Sequence, residues 1–412
     1  MPQPTPHHIA RTAITLFLGI AMPAASQTIN EDIKIVPSGE NYGFGYSVAI
    51  SGTTAIVGPL GHNSPESSGW VNLFDTETGQ QLFRLTAHDA ADQDNFGRSV
   101  AISGTTVIVG SLLDDDAGTD SGSAYLFDTQ TGQELFKFTA SDAAAGDKFG
   151  FSVGISGTTA IVASESGAYL FDTETGQQLF KLTDSDKAVA ISGTTAIVGD
   201  RLFNTETGQQ LFQLTPSVAG GGFGSTSVAI SGTRAIVGAM YTDDPNNVDW
   251  HIRNAGAAYV FDTETGQQLF KLVAFDAASQ DLFGRSVSIS ETTAIVGAEG
   301  NASAYSFDIV TGQKLYKLAS SDGGHFFGAS VAVSDTTAIV GAYRSGAAYL
   351  FFDAAIQCLG DLTGERVLNF LDVSAFLVAF GTRDPVADFT GDGDFNFLDV
   401  SAFLAAFGAG CP

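Results

Sequence analysis

The residues with the most specific chemistry lie near the C-terminus. In DFTGDGDFNFLD, Asp388, Thr390, Asp392, Asp394, Asn396 and Asp399 occupy positions 1, 3, 5, 7, 9 and 12 of a loop, with Gly393 at position 6. Side-chain oxygens at 1, 3 and 5, a backbone carbonyl at 7, a water near 9 and a carboxylate at 12 can wrap a hard cation, while glycine at 6 permits the sharp turn. Calcium is the ion this pattern predicts. An earlier copy, 27 residues upstream, offers Asp361, Thr363, Glu365, Asn369 and Asp372 at positions 1, 3, 5, 9 and 12. There Glu365 is longer than the usual Asp, and Arg366 stands where glycine is expected. A cation beside the site and a side chain at a turn that favours positive φ both predict weaker binding.

Each loop runs into an apolar segment, LNFLDVSAFLVAFG from Leu368 and FNFLDVSAFLAAFG from Phe395. Their apolar residues recur at helical spacing and predict two helices packed on each other. The two cysteines, Cys358 and Cys411, bracket this part of the chain. In an oxidising compartment they predict a disulfide rather than a metal pair or a nucleophile. The short repeat, Asp in place of Glu at position 12 and the helix that follows resemble the dockerin family, specifically the dockerin-like tails of secreted bacterial proteins ending in Gly-Cys. The resemblance implies that residues 355–412 form a small calcium-binding module for anchoring or assembly, with a cohesin-like or cell-surface partner. Cellulosomal dockerins often carry small hydroxyl residues just before position 12; Phe370-Leu371 and Phe397-Leu398 stand there, which argues against a cohesin of that type.

The opposite end gives an address. His7, His8 and Arg11 precede an apolar run from Ala13 to Met22 and then Pro23, Ala24, Ala25 and Ser26, which predicts a signal peptide over residues 1–26 and a secreted or cell-surface protein. The run falls short of the ~18 apolar residues needed to span a bilayer, and no later segment reaches that length. With 18 Lys plus Arg against 45 Asp plus Glu and a net charge of −27, nucleic acid and anionic membrane surfaces are excluded as main partners, because too few cations remain to build a basic face.

Between the two ends one phrase recurs seven times, first as SVAISGTTAIVG from Ser47 to Gly58, with spacings of 36 to 59 residues between units. A second phrase, FDTETGQQLF, alternates with it from Phe74 onward. Each unit parses as four short strands joined by Ser-Gly-Thr and Thr-Glu-Thr-Gly turns. The runs are apolar on both faces, as in a sheet packed between two others, with small residues in the first strand and Tyr, Phe and Leu in the third and fourth. The fold class is therefore all-β: a seven-bladed β-propeller of four-stranded blades over residues 27–354, followed by the small helical module. The last unit stops after its third strand, and Asp32 to Val36 resembles the fourth-strand phrase, so the N-terminal segment is expected to complete the last blade. Phe-Gly ahead of Ser-Val-Ala, followed by Ile-Val-Gly-Ala, resembles the FG-GAP repeat of bacterial surface proteins and integrin α-subunit propellers. Many repeats of that family place an Asp-rich calcium loop between the first two strands; here that site is Ser-Gly-Thr-Thr or a near variant, so those calcium sites are not expected.

Turns after strands one and three are nearly uniform, whereas those after strands two and four vary, most of all in the insertion from Ala239 to Gly256. Recognition is therefore expected on the varied face, at Tyr241, Asp243, Trp250, His251 and Arg253 of the insertion and at Trp70 of the first unit. An aromatic beside carboxylates suits an extracellular glycan or a protein ligand. His62, His88, His251 and His325 fall in loops of different blades and in no recognisable catalytic motif. Two functions are consistent with this pattern: a secreted binding or scaffold protein, and a secreted propeller hydrolase or lyase acting on polysaccharide. One histidine and two or more carboxylates converging at the mouth of the central channel would favour the second.

Overall fold

The computed structural model describes residues 27–39, 42–60, 69–182, 187–218, 221–243, 253–335, 337–352, 362, 368–390 and 394–409. The leader through residue 26, both cysteines, Asp361, Thr363, Glu365, Asp392, Trp250 and His251 lie outside the described residues. Two units separate, one from Ser26 to Gln357 and one holding the C-terminal segment from Cys358.

The first unit is a seven-bladed propeller of antiparallel meanders. Blade 1 is Phe44–Ser51, Thr54–Pro59, Val71–Asp75 and Gln81–Leu85, and its pattern repeats around the ring. First strands neighbour first strands, and Ser330–Ser334 of blade 7 returns to Phe44–Ser51, closing the circle. Two short N-terminal strands seal it. Strand β1 (Gln27–Asn30) pairs in parallel with the outer strand Lys314–Ala319 of blade 6, and β2 (Ile33–Ile35) pairs antiparallel with Ala347–Phe351 as the fourth strand of blade 7. The second pairing is the one expected for Asp32 to Val36; the first has no counterpart in the sequence reading.

Second and third strands are buried throughout, and large side chains from adjacent blades interleave, as Leu73 and Val71 do with Tyr125 and Phe127. Outer strands differ from the expectation of two apolar faces. They alternate, leaving Leu82, Leu135, Leu179, Leu211 and Leu269 exposed, because a fourth strand has the rim on one side and not another sheet.

The Phe-Gly and Ile-Val-Gly phrases are two halves of one contact between blades. The ring of Phe96 lies edge-on to Tyr125 and Phe127, and the Gly97 carbonyl accepts a hydrogen bond from Ser47 Oγ of the preceding blade at 2.7 Å. Ser99 to Gly150, Ser227 to Gly284, Ser286 to Gly328 and Ser330 to Gly45 repeat it, the last across the closure. Where blade 4 lacks Phe-Gly, Ser152 Oγ instead accepts from Val189 N. A Cβ on Gly58 would stand 2.2 Å from the Gly97 carbonyl oxygen. Gly58→Ala is expected to cost about 1–3 kcal/mol through overpacking against immobile backbone, measured by denaturant titration.

At the opposite face the turn glycines are tied to the blade before them. Gly104 N donates to Ser51 Oγ, Gly157 N to Ser103 Oγ, Gly193 N to Ser156 Oγ and Gly232 N to Ser192 Oγ, while Gly52 N donates to Ser334 Oγ across the closure. The Thr-Glu-Thr-Gly turns on that face are held by the side chain before them, Asn204 in blade 4 and an aspartate elsewhere: Asp75 Oδ1 accepts from Thr78 N and Oγ1, which lowers the Asp75 pKa. Uniformity on this face is thus a folding requirement.

In the C-terminal unit, α1 (Phe370–Thr382) and α2 (Phe397–Ala409) present Phe376 and Phe403 to each other, with ring centroids 4.1 Å apart and planes 3° from parallel. The two phenylalanines hold the same place in the duplicated phrase, so the duplication packs on itself. No helix among the described residues is long and apolar enough to cross a membrane.

Candidate functional site

The varied face opens into a cavity of about 520 Å³ at the mouth of the central channel. Six blades each give its wall the residue at one shared position, at the start of the inner strand, and the seventh, Ala329, lines the channel beside it. Tyr46, Arg98, Phe151, Arg285 and Ala329 directly follow Phe-Gly, and Lys187 and Thr226 hold the same place in the two remaining blades. Ring order therefore runs Arg285, Ala329, Tyr46, Arg98, Phe151, Lys187 and Thr226.

Cations and aromatics alternate along part of this arc. The Arg98 guanidinium lies 5.1 Å from the Tyr46 ring centroid and 5.4 Å from that of Phe151, and Lys187 Nζ lies 5.2 Å from the Phe151 centroid. Lys187 also meets Glu165 Oε1 at 2.6 Å. Arg285 Nε is 3.4 Å from Glu299 Oε1. Burial disfavours the charged Arg285 guanidinium, yet the Glu299 carboxylate and the Tyr46 hydroxyl hold its pKa above the ordinary arginine value.

Of the residues expected on this face, Tyr241 reaches the cavity, where it is 49% exposed beside Met240. Asp243 lies at the base of its loop, accepting from Asn254 N at 2.9 Å. The Arg253 carbonyl is bound by Gln280 N and Ser279 Oγ. Trp70 stacks on Phe44 at 6.1 Å under the Arg84 guanidinium, half-buried in the packing between blades 7 and 1. Arg98, Lys187 and Arg285 were missed by the sequence reading, which took Phe-Gly as the motif and passed over the residue after it. Their signal is present in the chain: amid near-identical repeats, this one position changes chemistry from unit to unit. Glu299 is the one carboxylate among the described lining residues, and no histidine is among them.

Acidic groups gather elsewhere. Asp89, Asp114 and Asp116 bring one carboxylate oxygen each within 4.8 Å of one another. The cation they hold is the chain's own Lys137, whose Nζ is 2.6 Å from Asp89 and 3.2 Å from Asp114 and also bonds Asp116. The Tyr125 hydroxyl joins them, 2.9 Å from Asp89 and 2.8 Å from Asp114. A simpler form recurs: Asp142 with Tyr169 and Lys181, Asp276 with Tyr305 and Lys317, Asp322 with Tyr349 and Lys34. In each, an aspartate from an interblade loop clamps a third-strand tyrosine and an outer-strand lysine. Lys34 comes from β2, so the N-terminal strand carries the outer-strand lysine as well as the outer-strand pairing.

In the C-terminal unit Asp399 is buried, and its carboxylate accepts from Thr390 N at 3.1 Å, Thr390 Oγ1 at 2.8 Å and Asn396 N at 2.8 Å. Burial raises its pKa, but these bonds more than offset that, and the value falls below the ordinary one. Thr390 Oγ1 is also 3.5 Å from Asp388 Oδ1, so loop positions 1, 3 and 12 converge. Asn396 Oδ1 caps α2 through Leu398 N. Asp372 and Asn369 form the same capping arrangement at α1.

A solved structure titled hydrazine synthase of Kuenenia stuttgartiensis aligns with a TM-score of 0.54 and 13% identity, covering 77% of this chain and 98% of that one. The computationally designed Ika8 protein aligns with a TM-score of 0.48 and 17% identity over 77% and 98%. At such identity the first shares a fold and nothing more. Comparison with curated protein sequences gives no match. The family model described as FG-GAP repeat matches residues 80–127, 133–179, 213–261, 267–307 and 314–351. With more than half of its length matched and the paired Phe-Gly and Gly contacts in place around the ring, the chain belongs to the FG-GAP repeat family.

Proposed function

We propose that this is a secreted, non-catalytic binding or scaffold protein, whose propeller presents its varied face to an extracellular glycan or protein ligand and whose tail binds calcium for anchoring or assembly. One observation carries the reading: the two faces of the ring are sorted. One is closed by interblade hydrogen bonds in repeated turns, and the other opens into the cavity lined by residues that differ from blade to blade. Side chains released from folding duties at a concave, partly aromatic mouth are where recognition is built. The test is an array of glycans and matrix proteins probed with the full chain. Tyr241→Ala should weaken the retained interaction, while Thr53→Ala on the repeated face leaves it unchanged. An empty array, or equal losses in both variants, refutes the reading.

For the tail, the donor set fits a hard cation: Asp388, Thr390 and Asp399 already converge, and Asp394 supplies a carbonyl at the right step. Bound calcium would neutralise these oxygens and fix the loop against α2. Phe370 and Phe397, 77% and 76% exposed, give equivalent apolar positions for an anchoring partner. Calcium titration of the full chain should show unequal sites, with Asp399→Ala or Asp388→Asn removing the tighter one and Asp372→Ala the weaker. Intact tight binding in both Asp399→Ala and Asp388→Asn overturns the ligand assignment.

A further inference from the structure

The chemistry of the mouth narrows the ligand, on the reading that the mouth is the recognition site. Across the whole chain acids outnumber bases 45 to 18, yet among the described residues the mouth lining holds Arg98, Lys187 and Arg285 against Glu299 alone. The reversal arises at a position with no part in the Ser-to-Gly hydrogen bonds between blades, since the Gly before it and the Ser after it make them. Two of the three charges are matched, Arg285 by Glu299 and Lys187 by Glu165. Arg98 has no carboxylate within ion-pair distance among the described residues; it sits between the rings of Tyr46 and Phe151. In the opposite sector, Thr226 Oγ1 is buried without a hydrogen-bond partner among the described residues. The mouth thus combines one uncompensated guanidinium, a spare hydroxyl and aromatic faces around a space large enough for a sugar unit.

We propose that the channel mouth binds a glycan bearing uronic acid, with the carboxylate held by the Arg98 guanidinium and the sugar ring set against the flanking aromatic side chains. A guanidinium fork matches a carboxylate, and an aromatic face suits the apolar side of a pyranose. The acidic body of the chain acts in the same direction. It repels densely charged polyanions at long range, while the local field at the axis still favours a sparse carboxylate.

The test uses the full chain on an array of uronic-acid oligosaccharides, each beside its carboxyl-reduced counterpart, with hexaglutamate as a peptide probe. Retention of carboxylated members over their reduced counterparts is expected. Arg98→Ala should lower that affinity about ten- to a hundredfold, the loss of one hydrogen-bonded charge pair. Arg98→Gln keeps part of the stem over the two rings and separates loss of charge from loss of packing, with a melting curve for each variant. Equal binding of carboxylated and reduced members, hexaglutamate binding in place of the sugars, or unchanged affinity in folded Arg98→Gln each overturns the proposal. Reduced sugars bound as well as carboxylated ones, with sensitivity to Tyr241→Ala, would leave the mouth as a recognition site and remove only the carboxylate. No retention of any probe or of any member of the wider array would remove both.

Discussion

Deleting residues 27–38 is expected to lower the melting temperature of the propeller by about 4 °C or more, corresponding to a loss above about 3 kcal/mol. Two blades lose their outermost pairing at once. Blade 7 gives up β2, with fully buried Ile35, and blade 6 gives up the parallel strand β1. Burial of one isoleucine alone contributes about 1.5–3 kcal/mol, before the backbone bonds and the contacts of Glu31 to Ser321 and Asp32 to Phe352 N are counted. The deletion also bares the edges of Ala347–Phe351 and Lys314–Ala319, so the variant should associate as its concentration rises. Lys34→Ala, by contrast, removes only an exposed ion pair and should cost under about 1 kcal/mol. Calorimetry of the three proteins decides it; an unchanged melting temperature in the deletion removes the closing role of this segment.

Lys137→Ala should be the most damaging single substitution among the clamps, costing about 3–5 kcal/mol, the range for leaving a buried ionic group uncompensated. The Lys137 side chain is 15% exposed and holds Asp89, Asp114 and Asp116 together. Burial pushes the Asp89 carboxyl up, but its bonds with Lys137 and Tyr125 more than offset this, leaving the pKa below the ordinary value. A depressed carboxyl contributes stability that is present above its unfolded pKa of about 3.9 and lost as the pH falls through the folded value. Without Lys137 the sign reverses. With their cation gone the crowded carboxylates repel one another, so the variant should regain stability more steeply than the parent as the pH falls from about 7 towards 5. Thermal melts across that window are the measurement; equal pH slopes in the two proteins rule out Lys137 as the cation of the cluster.

Much of the architecture is legible in the sequence because it is repeated. Seven copies of the Ser-Val-Ala and Ile-Val-Gly phrases mark seven blades, and the likeness of Ile33-Lys34-Ile35 to Leu-Phe-Lys-Leu marks the strand that closes them. Strand β1 left no such mark. Its residues, Gln-Thr-Ile-Asn, bind the outer edge of blade 6 mainly through the backbone, which any sequence can supply. The Asp–Tyr–Lys clamps escaped notice because each draws on a loop and two separate strands, so no local spacing reveals them. The mouth was legible only in part. Tyr241 stood out as an aromatic in a long insertion, whereas Arg98, Lys187 and Arg285 were hidden inside a phrase read for its constant residues.

The sequence repeat and the blade are out of phase: each family match begins at the outer strand of one blade and runs through at least the third strand of the next. A gene duplication that copies one repeat therefore inserts the outer strand of one blade with the three inner strands of the next, bringing one Gly and one Ser for the contacts on its two sides. The enlarged ring keeps every internal seam, and its terminal strand still meets the last blade. A ring built this way can gain or lose one repeat without inventing a new closure.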